Sequence, residues 1–170
     1  MYQIVNKQNL NPTVTLMDIK APYVAAKAEA GQFIILRVDA DGERIPLTVA
    51  GYDRQNGTVR IIFQIVGATT EKLNHLNVGD SIHDFVGPLG TATKLDGLKK
   101  VCIVGGGVGC AIALPIAQDR PDDSDFAAKL RIKIIISKGE RQHDKEDFHF
   151  PRGTHGAHLV YCGCYCGGQC

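Results

Sequence analysis

The sequence has no excess of either charge: 19 Lys and Arg stand against 18 Asp and Glu, for a formal net charge of +1. That leaves no electrostatic footprint for nucleic acid or for an anionic membrane surface. Long hydrophobic runs are also missing, none approaching the roughly eighteen apolar residues of a membrane helix. The opening stretch "MYQIVNKQNLNPTV" lacks the apolar h-region of a signal peptide. A cytoplasmic protein without a membrane span is expected. Cysteine is not distributed as a disulfide framework would require, because four of the six crowd into the final stretch "CGCYCGGQC". What is present is an ordinary apolar fraction of 44% in 170 residues, enough for a real core.

Periodicity divides the chain. Up to about Asp96 it is a succession of short strand-like runs, "TVTLMDI", "GQFIILRVD", "RIPLTVAGYD", "TVRIIFQIV" and "DSIHDFVGPLG", with "DADGER" and "DRQNG" as turns. Such spacing predicts an antiparallel sandwich or barrel. One interruption, "ATTEKLNHL", reads as a short helix burying Leu73 and Leu76 on a narrow face. From Leu98 the pattern becomes strand, glycine loop, helix, polar link "DRPDDSD" and strand "LRIKIIIS", the start of a parallel α/β unit. The expected organisation is therefore a β plus α/β protein: an antiparallel barrel over residues 1–97, an incomplete parallel α/β nucleotide-binding domain over 98–138, and an irregular Cys/His-rich tail over 139–170.

Two constellations carry chemistry. In "CIVGGGVGCAIALPIAQ", Gly105, Gly106, Gly107 and Gly109 permit a tight turn and close approach of backbone N–H groups to a ligand, and the helix that follows favours a pyrophosphate at its N-terminus. The pattern is not the full G-x-G-x-x-G fingerprint, and a glycine-rich strand-to-helix turn without a ligand is the competing reading. In "RIPLT", Arg44 offers a guanidinium suited to a diphosphate, Pro46 a fixed backbone and Thr48 a hydroxyl donor. Further on, "GATTEKL" puts Thr69 and Thr70 where a helix N-terminus could meet phosphate. Taken singly, Arg44 reads as a solvated strand-end charge and Thr70 as an N-cap. His75 and His83 fall on a helix and a strand, where solvent-facing roles outweigh metal ligation. Cys102 and Cys110 read as a core and a helix residue.

In their order, "GQFIILRVDADGERIPLTVAGYD", "IIFQIVGATTEKLNHLNVGD", "VGPLG" and "VCIVGGGVGCAIALPIA" resemble the ferredoxin-NADP reductase superfamily. Within it the chain is similar to the electron-transfer flavoproteins typified by the dihydroorotate dehydrogenase electron-transfer subunit and the small (alpha) subunit of NADH-dependent ferredoxin:NADP oxidoreductase, the sulfide dehydrogenase subunit. The resemblance covers about residues 1–118. It implies a six-stranded FAD-binding barrel followed by a nicotinamide nucleotide domain. By position it implies Arg44 on the FAD diphosphate and Pro46, Leu47 and Thr48 along the isoalloxazine. Phe63 and Gln64 would meet the ribityl and ring region, and Thr69 and Thr70 the diphosphate or adenosine end. The "GPLG" turn, Gly87 to Gly90, would close the barrel, and Gly105 to Gly109 would face NAD(P)H. The implied activity is that of an FAD-binding electron-transfer subunit, passing a hydride from NAD(P)H to flavin and then single electrons to an iron-sulphur centre or partner. Implied partners are a larger flavoenzyme subunit and ferredoxin. The cofactor carries the redox step, so no side chain is named as general acid or base.

The sequence departs from the family after about residue 138, and a flavin-binding module without turnover of its own is the alternative expectation. The tail cysteines follow C-x-C-x-C-x3-C, which fits neither the longer intervals of the family's 2Fe-2S segment nor the C-x2-C pairs of a zinc ribbon. A properly formed 2Fe-2S cluster is not expected from this spacing, and the metal, if any, is left unassigned.

Overall fold

Alternation builds the sheet. In the strand Thr58–Gln64, Val59, Ile61 and Phe63 are buried while Arg60 and Gln64 face outward, the period-two pattern of a strand with one wet face. The computed structural model describes residues 1–95 and 106–118, and the backbone alone of 100–104 and 157–161. In chain order the elements are β1 (Tyr2–Asn11), β2 (Val14–Lys20), α1 (Pro22–Lys27), β3 (Phe33–Arg37), β4 (Ile45–Asp53), β5 (Thr58–Gln64), α2 (Ala68–His75), β6 (Ser81–Ile82), β7 (Asp84–Leu89), β8 (Lys100–Val104), α3 (Gly109–Gln118) and β9 (Ala157–Tyr161).

Strands β1 to β7 form one antiparallel sheet in the order β6-β1-β2-β5-β4-β3-β7. Its two outermost strands are neighbours in sequence, separated by His83 alone, so the sheet curls into a nearly closed barrel. The interior is aliphatic with two rings: Ile4, Met17, Ile19, Ile34, Leu36, Val49, Val59, Ile61, Phe63, Leu73, Ile82 and Phe85 form its centre. Helix α2 contributes Leu73 to that core, with Leu76 packed against it, as the sequence pattern predicts.

The expected barrel has seven strands instead of six, for a specific reason. The run Asp80–Gly90 breaks at His83, where the chain leaves β1 and joins β3: Ile82 pairs with Tyr2, and Asp84 pairs with Arg37. The "GPLG" segment is also not a turn. Gly87, Pro88 and Leu89 lie within β7, and a side chain at Gly87 would meet Ile34 Cγ2 at 2.7 Å, so glycine is what lets β7 lie against β3. Two elements go beyond the predicted set. Strand β1 buries only Ile4 fully, and its polar run hides the period. Helix α1 is six residues long, started by Pro22 in its first turn.

The hairpin joining β4 to β5 bears out "DRQNG" as a turn. Asp53 Oδ1 accepts from the Asn56 N–H at 2.8 Å, and Gly57 has φ +61°, a conformation L side chains rarely adopt.

Across the outer face, Arg60 on β5 donates to both carboxylate oxygens of its register partner Asp18 on β2, at 2.7 and 3.0 Å. Desolvation alone would raise the Asp18 pKa, but the hydrogen bonds from Arg60 and Asn6 and the Arg60 charge outweigh it and hold the carboxyl below its ordinary range. A lowered folded pKa stabilises the fold above the unfolded-state value, and that contribution disappears as pH falls through the folded value. Asp18→Asn is therefore expected to cost about 0.5–1 kcal/mol at neutral pH, the scale of a half-exposed ion pair. Urea melts at neutral pH and at about pH 2.5 check this: the gap between wild type and variant closes at the acid end.

In the second unit, β8 and β9 pair in parallel from Lys100↔Ala157 to Val104↔Tyr161. The glycine turn leads into α3 as predicted, and α3 lies against β4. The boundary near residue 97, the strand "LRIKIIIS" and the cysteine tail fall outside the described residues. Among those described, no helix is long and apolar enough to cross a membrane.

Candidate functional site

Strand β4 changes partners midway. From Ile45 to Thr48 it pairs with β3, and from Val49 to Asp53 with β5. On the β5 side the register stops at Val49↔Ile61, while Ile62, Phe63 and Gln64 pair only with β2. The sheet is thus split between residues 45–48 and 62–64, the two places where the sequence sets Pro46, Leu47, Thr48, Phe63 and Gln64. A split of this kind leaves backbone polar groups without a cross-strand partner on either lip, where a planar polar ligand can reach them. Pro46 and Gln64 are exposed, and Leu47 and Thr48 are half-buried. The Phe63 side chain turns away from the split: it is 2% exposed and belongs to the barrel core.

Because β4 and β5 are antiparallel, the start of β4 and the end of β5 lie at one end of the sheet. Arg44 immediately precedes β4, and α2 follows β5 across a three-residue link. Contacts confirm the juxtaposition. Thr69 Oγ1 donates to Glu43 Oε2 at 3.1 Å, and Lys72 Nζ pairs with Asp39 Oδ2, so α2 is tied twice to the 39–43 loop.

The helix end is organised by the Thr70 hydroxyl. Thr70 Oγ1 accepts from the N–H groups of Val66 and Gly67 at 3.0 and 3.1 Å and donates to the Gly67 carbonyl at 2.9 Å. Gly67, not Thr70, is the N-cap: Thr70 stands at the third helical position, and its hydroxyl reaches back to the N–H groups just before the helix. Helix geometry leaves the N–H groups of Ala68, Thr69 and Thr70 without intrahelical partners, beside the positive end of the helix dipole. A side chain added at Gly67 would find no heavy atom within 4 Å, so the approach is open.

Arg44 is 62% exposed, and its Nη2 lies 3.4 Å from Asp84 Oδ2, a long contact easily given up. Asp84 belongs chiefly to Arg37, whose Nη2 is 2.7 Å from the same oxygen. His83 Nδ1 stands 3.0 Å from Asp84 Oδ1 and 3.3 Å from Arg37 Nη2. Desolvation raises the Asp84 pKa, yet the His83 hydrogen bond and the Arg37 charge prevail and keep the carboxyl ionised below its usual range. The sequence reading missed Glu43, Asp84, Lys72 and Asp39. Glu43 is signalled by its place beside Arg44 in "GERI", whereas the Arg37–Asp84 pairing exists only through the β3–β7 register.

Of the glycine loop, Gly105 falls outside the described residues. The Gly106 carbonyl accepts from the Gly109 N–H at 2.9 Å, Gly107 has φ +54° with open space around it, and Gly109 is buried at the start of α3. His75 Nδ1 contacts the Glu71 carbonyl at 2.8 Å within its own helix. Among the described residues, no group of three or more His, Cys, Asp and Glu is arranged to hold a metal ion.

The family model for the oxidoreductase FAD-binding domain matches residues 1–93. An uncharacterized protein of the adh 3′ region of Clostridium beijerinckii is 49% identical over 122 residues, covering 68% of this chain and 41% of that protein. The homolog of the dihydroorotate dehydrogenase B (NAD(+)) electron transfer subunit from Thermotoga maritima is 41% identical over 116 residues, with the same two coverages of 68% and 41%. The solved structure of an NADH-dependent reduced ferredoxin-NADP oxidoreductase, studied for flavin-based electron bifurcation, superposes with a TM-score of 0.71 at 37% identity, over 80% of this chain and 48% of the other. The chain therefore spans less than half the length of each of these proteins. By the family match and by this barrel, the chain belongs to the oxidoreductase FAD-binding domain family of ferredoxin-NADP reductase-like flavoproteins.

Proposed function

We propose that the barrel binds FAD across the β4–β5 split and that the chain serves as the flavin-carrying electron-transfer part of an NAD(P)H-linked oxidoreductase. The observation that carries this is the partner change of β4 at Thr48, which opens the sheet just where Arg44 and the start of α2 converge. The residues present fit the cofactor. One exposed guanidinium and three unpartnered helix N–H groups form a donor set for a diphosphate, and the split between the lips suits a flat ring system with polar edges.

In this reading Arg44 binds the diphosphate together with the N–H groups of Thr69 and Thr70 and the Thr69 hydroxyl. Pro46, Leu47 and Thr48 line the isoalloxazine, with the Thr48 hydroxyl as a hydrogen-bond donor at its edge. Gln64 meets the ribityl region by its side chain, and Phe63 only by its backbone. Gly105, Gly106, Gly107 and Gly109 face the nicotinamide nucleotide, and the packing of α3 on β4 supports that assignment by setting the glycine turn near the flavin strand. The chemistry FAD supplies when bound is uptake of a hydride equivalent and its release as single electrons. The chain's own share is to position and to exclude water. A larger flavoenzyme subunit, ferredoxin or an iron-sulphur centre is the proposed acceptor in the cytoplasm; of these, the relatives' names give ferredoxin, and they give an electron transfer subunit as the role.

The test is reconstitution. The purified chain, mixed with FAD and passed through gel filtration, is expected to keep flavin absorbance near about 370 and 450 nm. A protein that emerges colourless and does not quench free FAD fluorescence overturns the assignment. Bleaching of the retained band by NADH or NADPH then reads the glycine turn separately.

A further inference from the structure

The donors that would bind a diphosphate already have partners within the chain. Thr69 Oγ1 already donates to Glu43 Oε2 at 3.1 Å, and Arg44 Nη2 already leans on Asp84 Oδ2 at 3.4 Å. A threonine hydroxyl has one proton and can donate one hydrogen bond. If Thr69 is to donate to a phosphate oxygen, Glu43 must let go. A carboxylate left beside a diphosphate would also repel it, most strongly where solvent is thin and salt is low.

We propose that Glu43 is a built-in competitor of the cofactor: its carboxylate, hydrogen-bonded to Thr69 Oγ1 at the start of α2, takes the donor that a diphosphate oxygen would need and opposes that anion with its own charge. This inference rests on the flavin reading above. The other nearby charges do not take the same role. Asp39 is held by Lys72, Asp84 is held by Arg37 behind Arg44, and Glu71 is the one acidic residue of the helix's own first turn. Among the described residues, Glu43 alone reaches the helix end from another segment through a hydrogen bond that the ligand itself would need. The consequence is a tuned affinity. The Glu43–Thr69 bond ties the α2 N-terminus to the 39–43 loop and gives up part of the binding strength that Arg44 and α2 could otherwise deliver.

Glu43→Gln separates charge from structure, because the amide oxygen can still accept from Thr69. The full chain, stripped of flavin, is titrated with FAD by fluorescence quenching and with inorganic pyrophosphate by calorimetry, each at low and high salt. Glu43→Gln is expected to bind both about three- to tenfold more tightly than wild type at low ionic strength, with the gap shrinking as salt rises. Thermal melts are expected to coincide, as the bridge to Thr69 is kept. Equal or weaker binding by the variant overturns the proposal, weaker binding meaning that Glu43 holds the cofactor itself. Arg44→Ala, run alongside, keeps the two claims apart. Wild-type FAD binding that Arg44→Ala weakens while Glu43→Gln leaves it unchanged removes the role of Glu43 and leaves the flavin site standing. No FAD binding by any variant removes both.

Discussion

Arg44→Ala is expected to weaken FAD binding by about 10- to 100-fold, the scale of a charge-assisted hydrogen bond to phosphate lost from a partly desolvated site. The surroundings of Arg44 make this a clean experiment. Arg44 is 62% exposed, and its contact with Asp84 is long, so truncation removes almost nothing that the fold uses. Stability should stay within about 0.5 kcal/mol of wild type. Arg44→Lys keeps the charge but not the planar fork and recovers only part of the affinity. Equilibrium titration with flavin fluorescence reads all three proteins, and unaltered affinity in Arg44→Ala would detach the arginine from the cofactor.

Phe63→Ala is expected to destabilise the barrel by about 3–5 kcal/mol, a melting temperature lower by about 12 °C or more. Phe63 is one of the two largest fully buried side chains, and it lies on β5, the strand that joins β2 to β4. Its removal leaves a void lined by aliphatic neighbours that are themselves held in the sheet and cannot collapse far. Phe63→Leu, closer in volume, costs about 1–1.5 kcal/mol. Urea unfolding measures both. At temperatures where Phe63→Ala remains folded, its FAD affinity is expected to stay near wild type, since its ring faces the core and not the split. A large affinity loss with unchanged stability would contradict that placement.

The contrast between these two residues shows what the sequence could and could not disclose. Motif order marked both as flavin contacts, and motif order says nothing about which way a strand residue points. Period two does say it: Val59, Ile61 and Phe63 form one apolar series, which sets the Phe63 ring inside. The hairpin at Gly57, helix α2 and its buried Leu73, and strands β2 to β5 were legible because each carries its own punctuation or period. Strand β1 was not, since seven of its ten residues are exposed, most of them polar, and Ile4 alone is buried. The break at His83 escaped notice because "DSIHDFVGPLG" reads as one run; only closure of the barrel requires it to serve β1 first and β3 afterwards.

The site divides in the same way. Local signals point to Arg44, Thr48, Thr69 and Thr70 as the proposed site, through residue type beside a strand or helix end. The contacts that set their state, Thr69 with Glu43, Lys72 with Asp39 and Arg44 with Asp84, cross 26 to 40 residues of chain and arise from sheet register. No local pattern encodes them.

Amide chemical shifts recorded during a titration with FAD test the central claim most directly, because they report where on the barrel the cofactor sits and not only that it binds. The expected result is a contiguous set of perturbed amides at Arg44, Ile45, Leu47, Thr48, Gln64 and Gly67 to Thr70, with β1 and the Asp53–Gly57 hairpin unmoved. Perturbations centred on that hairpin or on β1, or a spectrum unchanged at saturating FAD, would contradict a flavin seat in the β4–β5 split.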